Sequence, residues 1–354
     1  MPSPHAQPVV DNAHGILDPR GDLRWYPIQH TTLEGRGWPL AEMEKLGDRL
    51  PVRAHGVVPE EVWKKSHYSS GLCARFSSNT DRVFVRWTDR NGNPPQDKLA
   101  HSRPDLYVMD QSRWRWAGLA SNLLQHDRSW ITDDFPAERR EYLLYFPYLD
   151  GIATLELGLM PDAWLAPALA RTAKPILFYG TSITCGQSVS RAGRSYSALA
   201  GRSLDRPVIN LGFPGNGKME LPTVKFIAEI DAAVFVIACC ENMDAAQIAE
   251  RTEPAVQCLR KAHPQTPIVL VESLMYENAW LIRAHAHRVK SSNAALAAAH
   301  ERLTQSGVGN LHYLDSAKLL PAAIEGTVDG THPNDIGATA LADVFTETLR
   351  PILH

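Results

Sequence analysis

The sequence predicts two domains in tandem: an all-β sandwich, then an α/β domain built on a parallel sheet. Three observations predict this. A chain of 354 residues exceeds what one domain of ordinary size needs. Residues 21–168 carry short aromatic and β-branched runs between turn signals, with no strong helical stretch among them. From Lys174 onward short apolar runs alternate with helical stretches, the order that forms a parallel sheet with right-handed crossovers.

Composition bounds the rest. At 44% hydrophobic and 21% charged residues the chain is an ordinary soluble globular protein with enough apolar surface for a real core. The net charge of -3, without a basic block, argues against nucleic acid as a partner. The five cysteines, Cys73, Cys185, Cys239, Cys240 and Cys258, form an odd, scattered set without metal-type spacing. Free thiols are expected, with neither a disulfide framework nor a metal site. Residues 1–15 lack the apolar centre of a signal peptide, and no later run reaches the length of a membrane span. A cytoplasmic location is therefore expected, although a trimmed secreted chain would read the same way.

Residues 1–20 read as a polar lead-in containing Pro2, Pro4, Pro8 and Pro19. Runs 82–87, 105–109 and 142–146 read as strands, and 153–159 alternates as a half-buried strand does. Asn91-Gly92-Asn93-Pro94, Asp150-Gly151 and Met160-Pro161-Asp162 supply turns between them. Eight tryptophans fall in this half: Trp25, Trp38, Trp63, Trp87, Trp114, Trp116, Trp130 and Trp164. Aromatics stack on sugar faces, but large rings in a small sandwich more often fill the core or a domain interface. Trp114 and Trp116, two apart on one strand, suit either a platform or the core.

In the second domain, 172–354, strands are expected at 176–179, 208–211, 233–238, 268–272 and 311–314. Helices fit between and after them, at 196–203, 221–228, 245–262, 288–305 and 336–349. Pro254 interrupts the third of these, and Ala294–Ala299 favours helix in the fourth.

The chemistry gathers at the carboxyl ends of those strands, where open α/β sheets bind ligands. The first strand runs into Gly180-Thr181-Ser182, and this serine alone reads equally as helix cap or nucleophile. Past the second strand comes Gly212-Phe213-Pro214-Gly215-Asn216-Gly217, whose backbone N–H groups can approach a ligand closely. Its glycine spacing is wrong for a dinucleotide fingerprint. The third strand leads to Cys239-Cys240-Glu241-Asn242-Met243, and before the last helix stands Asp329-Gly330-Thr331-His332. Acyl transfer needs these parts. A serine hydroxyl attacks well only when an imidazole takes its proton and a carboxylate orients the imidazole. Ser182, His332 and Asp329 fill those roles. The oxyanion needs preorganised donors, each worth ~3 kcal/mol, and Ser182 N–H, Gly212 N–H and the Asn242 amide are the candidates.

On these residues, 174–350 resembles the SGNH (GDSL-type) hydrolases. The family's Gly-Asp-Ser motif stands here as Gly180-Thr181-Ser182, its glycine as Gly212, its asparagine as Asn242, and its Asp-x-x-His as Asp329 to His332. Arg103-Pro104-Asp105-Leu106-Tyr107, with Trp114-Arg115-Trp116, is similar to the sandwich that precedes the hydrolase domain in one bacterial subfamily, where the pentapeptide is Gly-x-Asp-Leu-Tyr. Thr181 replaces the motif's aspartate, Arg103 its glycine, and Cys240-Glu241-Asn242-Met243 departs from the usual Pro-Asn-Met. The resemblance implies an SGNH, flavodoxin-like three-layer domain preceded by a jelly-roll-like sandwich. It implies a serine esterase needing no metal or other cofactor, acting on a small carboxylic ester such as an O-acetylated sugar or glycoside. One alternative is an acyltransferase moving an acyl group from a thioester to an alcohol. A second is a glycan-binding protein without catalysis.

Three side features have plainer readings. Glu241 reads as an exposed acid before a substrate contact. His285 and His287 are two apart on a helical stretch, on different faces, so solvation or a lid role fits them better than a metal. Cys239 and Cys240 end a buried strand, where thiols pack as small hydrophobes.

Overall fold

The computed structural model describes residues 15–94, 102–121, 128–320 and 325–353. The front half contains β1 (Ile16–Leu17), β2 (Arg24–Pro27), β3 (Thr32–Glu34), α1 (Glu60–Ser66), β4 (Cys73–Ser78) and β5 (Val83–Asp89). It continues with β6 (Asp105–Asp110), β7 (Arg113–Leu119), β8 (Ser129–Thr132), β9 (Arg140–Tyr145), β10 (Ile152–Leu159) and β11 (Leu165–Pro167). Two antiparallel sheets result, ordered β1-β2-β10-β5-β8 and β11-β4-β9-β6-β7, with β3 paired to β4. Alternation along β5 turns Val83, Val85 and Trp87 inward. They meet Tyr26, Phe76, Leu106, Tyr142 and Leu157 in one apolar core. Phe76 and Tyr142 stack there with centroids 4.9 Å apart.

The second half contains β12 (Ile176–Gly180), α2 (Ser182–Cys185), α3 (Tyr196–Ser203), β13 (Val208–Gly212), α4 (Leu221–Ile227) and β14 (Val234–Ala238). It ends with α5 (Ala245–Ala262), β15 (Ile268–Val271), α6 (Arg283–Gln305), β16 (Leu311–Leu314) and α7 (Asp335–Leu349). The strands form a parallel sheet ordered β13-β12-β14-β15-β16. They are almost wholly apolar because both faces are covered. Leu177, Tyr179, Leu211 and Ile237 face α4 and α5, whereas Phe178, Val236 and Val269 face α3 and α7. The strand order reverses between β12 and β14, which opens a crevice at their carboxyl ends. Among the described residues no helix is long and apolar enough to cross a membrane.

The front half, read as having no strong helical stretch, carries a short helix, α1. Its signals were present: Glu60 and Glu61 in the first turn and Lys64 and Lys65 in the last complement the helix dipole, but seven residues are too few for a periodic pattern. Val58, Val62 and Trp63, with Trp38, Met43 and Leu50, do not join the sandwich core. They pack on the Leu177–Tyr179 face of the parallel sheet. Of the eight tryptophans in this half, Trp25, Trp38, Trp63 and Trp87 are buried, while Trp116 and Trp130 are exposed.

The sandwich meets the parallel domain through Asp105 and Tyr107. The buried Asp105 carboxylate accepts from Gly193 N at 2.9 Å and from Trp116 Nε1 at 2.9 Å. Arg191 Nη1 donates to Tyr107 Oη at 3.1 Å, and the Arg202 guanidinium lies 4.2 Å from the centroid of the Tyr107 ring. Cys73, Leu143, Tyr145 and Tyr148 pack against Val189, Ala192 and Ala198 around these polar contacts. The segment between α2 and α3 is thereby held on the sandwich.

Candidate active site

Thr181 caps α2, its side chain accepting from Ile183 N, and Ser182 opens the helix. The Ser182 hydroxyl lies 2.9 Å from Nε2 of His332. On the other side of the ring, Nδ1 lies 2.7 Å from Asp329 Oδ2. The other Asp329 oxygen accepts from His332 N at 2.8 Å and from Thr331 N at 3.0 Å. Burial alone would raise the Asp329 carboxyl, but the backbone N–H and ring of His332 and the Thr331 N–H outweigh it and hold the acid below its ordinary range. An ionised Asp329 places the ring proton on Nδ1 and turns the Nε2 lone pair toward Ser182, a tautomer assigned from these partners.

The structure thus brings Ser182, His332 and Asp329 into one hydrogen-bonded line, 150 residues apart in sequence at its widest. Asn334 anchors the far end of the loop by capping α7 at Ile336 N and Gly337 N.

The oxyanion candidates fare differently. Among the described residues nothing accepts from the Ser182 N–H. Asn242 follows β14 on the turn Cys240–Asn242, and its Nδ2 donates to Asn216 O at 2.8 Å, leaving one amide hydrogen. Gly212 departs from the expectation, because its N–H donates to Asn210 Oδ1 at 2.9 Å and is already taken. Its glycine identity has a steric cause instead. A Cβ there would stand 2.2 Å from Cys185 N, so β13 can lie this close to α2 only without a side chain.

Two residues that the sequence did not single out organise this corner. Asn210 is fully buried and its Nδ2 donates to Thr184 O at 2.6 Å and Ser197 Oγ at 2.9 Å, tying β13 to α2 and α3. Arg49 reaches in from the front half, its Nη1 donating to Asn210 O at 3.0 Å and Gly212 O at 2.8 Å. Its Nε donates to Tyr68 O at 2.6 Å and its Nη2 to Lys65 O at 2.7 Å. An isolated arginine in a turn-rich stretch gives no sequence signal of this role.

Glu241 also differs from its expectation as an exposed acid. The residue is half-buried, its Oε2 is enclosed without a hydrogen-bond partner, and desolvation pushes the carboxyl up to about 7. His285 Nδ1 pairs with Asn278 Oδ1 at 2.8 Å, and Cys239 and Cys240 are buried thiols raised by desolvation. Among the described residues no cluster of His, Cys, Asp and Glu could hold a metal ion.

The arrangement can move a proton from a buried serine to an imidazole held by a carboxylate, beside free N–H donors. The sequence profile of the GDSL-like lipase/acylhydrolase family matches residues 173–350. The chain belongs to that family. Residues 23–165 match the profile of the GxDLY domain, the N-terminus of SGNH-hydrolase-type esterases. A GDSL-like lipase from Bacteroides ovatus ATCC 8483 is similar over 94% of this chain and 98% of its own, with 31% identity and a TM-score of 0.87. The salicylyl-acyltransferase SsfX3 from a tetracycline biosynthetic pathway shares the fold over 93% of this chain and 97% of its own, at 20% identity and a TM-score of 0.72. A family two carbohydrate esterase from Cellvibrio japonicus does so over 98% of each chain, at 15% identity and a TM-score of 0.57. No curated protein matches the chain. Within this GDSL-like family the chain is a hydrolase or a related O-acyltransferase.

Proposed function

We propose that the protein is a serine esterase that cleaves a small carboxylic ester, such as an O-acetylated sugar or glycoside, through an acyl-Ser182 intermediate. The line from Ser182 Oγ to His332 Nε2 at 2.9 Å and from His332 Nδ1 to Asp329 Oδ2 at 2.7 Å carries the reading. Ser182 Oγ bonds to the acyl carbon as its proton passes to Nε2. The carbonyl oxygen, now negative, accepts from Ser182 N–H and the remaining Asn242 amide hydrogen. The C–O bond to the alcohol breaks, and Nε2 returns the proton to the leaving oxygen. Water then repeats the sequence and frees Ser182. No metal or organic cofactor takes part in these steps.

Transfer of the acyl group from a thioester to an alcohol is the second reading. One observation favours it. Trp280 and Leu281 are exposed on the segment after β15, and that segment is pinned to the His332 loop by Glu277 N donating to Gly330 O at 2.9 Å. An apolar rim of this kind suits an acceptor that covers the acyl-enzyme and keeps water away. A fluorophosphonate labels the serine in either case, and absence of an adduct on Ser182 in the folded protein would overturn both readings in favour of a non-catalytic glycan binder. Ser182→Ala is expected to lower p-nitrophenyl acetate turnover by ~10⁴-fold or more. Release of p-nitrophenol that accelerates with added alcohols, with the acyl group recovered on them, would identify the transferase.

A further inference from the structure

A cleft of about 860 Å³ lies between the outer face of β6 and β7 and the helix α3 with the turn before it. That is the size of a small-molecule site, and none of Ser182, Asn242, Asp329 and His332 lines it. The strand pattern makes its floor. Leu106 and Val108 face the sandwich core, so Tyr107 and Met109 face the other way. The register sets Tyr107 against Trp116 and Met109 against Trp114, which puts four aromatic or apolar side chains on one face. Trp116 is 53% exposed there, and its Nε1 donates to Asp105 Oδ1 at 2.9 Å.

Guanidinium groups make the walls. Arg191 and Arg194 come from the turn at 191–194, Arg202 from α3 and Arg113 from the start of β7. Arg191 lies 4.9 Å from the centroid of the Trp116 ring, and its Nη1 donates to Tyr107 Oη at 3.1 Å. Among the described residues its Nε and Nη2 hydrogens are left for a ligand. Arg202 is fixed by bonds to Tyr145 Oη at 3.0 Å and Gly193 O at 2.8 Å. Arg194 is fixed by bonds to Asp335 O at 2.9 Å and Thr339 Oγ1 at 2.7 Å. Arg113 is exposed and makes no side-chain hydrogen bond or ion pair among the described residues. Against these four cations the walls carry two carboxylates, Glu141 and Asp205, in a chain whose net charge is -3. Asp105 and Asp335, 3.8 Å from Arg191 and 3.7 Å from Arg194, flank those arginines without lining the cleft.

We propose that this cleft is a second, non-catalytic site that binds an acidic saccharide, with pyranose rings on Trp116 and the partly buried Trp114 and a uronate carboxylate on Arg113 and Arg191.

The chemistry of the lining selects that class. A planar guanidinium pairs with a carboxylate through two parallel bonds, and indole faces stack on the C–H faces of sugar rings. Glu141 and Asp205 accept from sugar hydroxyls. They repel a ligand carrying several phosphates, so a saccharide with isolated carboxylates fits this mixed wall better than a nucleotide does. Arginines already held by protein acceptors need little ordering when the ligand arrives, which favours affinity. The role of the site is to hold the protein on an acidic polysaccharide, and it does not depend on the chemistry at Ser182.

The test is isothermal titration calorimetry of the full chain with trigalacturonate, cellotriose and ADP. Trigalacturonate is expected to bind, at least tenfold more tightly than neutral cellotriose and more tightly than ADP, with an affinity that falls as sodium chloride is added. Arg113→Gln and Trp116→Ala should each weaken trigalacturonate binding about tenfold. Trp116→Ala also removes a bond to Asp105 and could disturb the domain contact. Arg113→Gln changes an exposed residue without a side-chain partner, so it decides the matter even if the tryptophan variant fails to fold. Ser182→Ala should bind trigalacturonate as the wild type does, which keeps this test separate from the esterase reading. No heat of binding at millimolar trigalacturonate, or equal affinity for cellotriose, would overturn the proposal. Tighter binding of ADP would overturn the saccharide assignment. Unchanged affinity in Arg113→Gln, or loss of binding in Ser182→Ala, would place the saccharide outside this cleft and equally overturn it.

Discussion

Replacing Arg49 by methionine should damage the active site from the opposite half of the chain. The guanidinium is fully buried and donates to four carbonyls, at 2.6 Å (Tyr68), 2.7 Å (Lys65), 2.8 Å (Gly212) and 3.0 Å (Asn210). It also lies 5.0 Å from the centroid of the Phe213 ring. Four charge-assisted bonds at about 1.5 kcal/mol each contribute about 6 kcal/mol. Desolvation of the cation, visible in its lowered pKa, takes back about half of that, and methionine does not incur it. The net loss expected for Arg49→Met is therefore about 3 kcal/mol, with carbonyls left unpaired in the interior. Arg49→Lys keeps the charge but cannot span four acceptors, and it should lose about 2 kcal/mol. Urea denaturation followed by circular dichroism reads the stability, and p-nitrophenyl acetate turnover of the folded protein reads the Gly212 loop. A methionine variant within about 1 kcal/mol of the wild type, with unchanged turnover, would refute the claim that this side chain holds β13 and its loop.

Three further outcomes test the site and its support. Asp329→Asn should reduce kcat by ~10³–10⁴-fold by losing the orienting carboxylate. Because the folded Asp329 pKa lies below its unfolded value, its stabilising contribution is present above the ordinary carboxylate range and disappears as pH falls through the folded pKa. The stability gap between wild type and Asp329→Asn should accordingly close in acid denaturation series. Asn242→Ala should lower kcat by ~10²–10³-fold with little change in KM, and a change confined to KM would remove Asn242 from the transition state. Asp105 behaves with the opposite sign: burial raises its carboxyl to about 6 against the pull of Arg191. Its favourable contribution is complete below the unfolded pKa and is lost as pH rises through about 6, so Asp105→Asn should gain on the wild type between pH 4 and pH 7 in denaturation midpoints. A constant difference across that range would contradict the buried assignment.

Much of the fold was legible because the relevant signals are local. The strand at Ile176–Gly180 and the helices Tyr196–Ser203 and Ala245–Ala262 follow from runs of apolar residues, turn residues and helical periodicity. Ser182, Asn242 and the Asp329–His332 pair could be named because α/β connectivity sends every post-strand loop to one edge of the sheet. Other features depend on residues distant in sequence. Trp38 and Trp63 lie in a stretch that reads as sandwich, yet they fill the core of the other domain. Nothing in their spacing indicates which sheet they cover.

The amino-acid order by itself determined the two classes of domain, the crossover pattern and the identities of a serine, a histidine and an acid able to meet. Tertiary structure decided which polar atoms remain free. Whether the Asn210 side chain turns into the interior to meet Thr184 and so takes up the Gly212 N–H, and whether Arg49 serves the surface or reaches the Asn210 and Gly212 carbonyls, depend on contacts across 26 to 163 residues of chain. Hydrogen bonding is short-ranged and directional, and burial is set by everything packed around a group. Those quantities exist only once the chain has closed on itself.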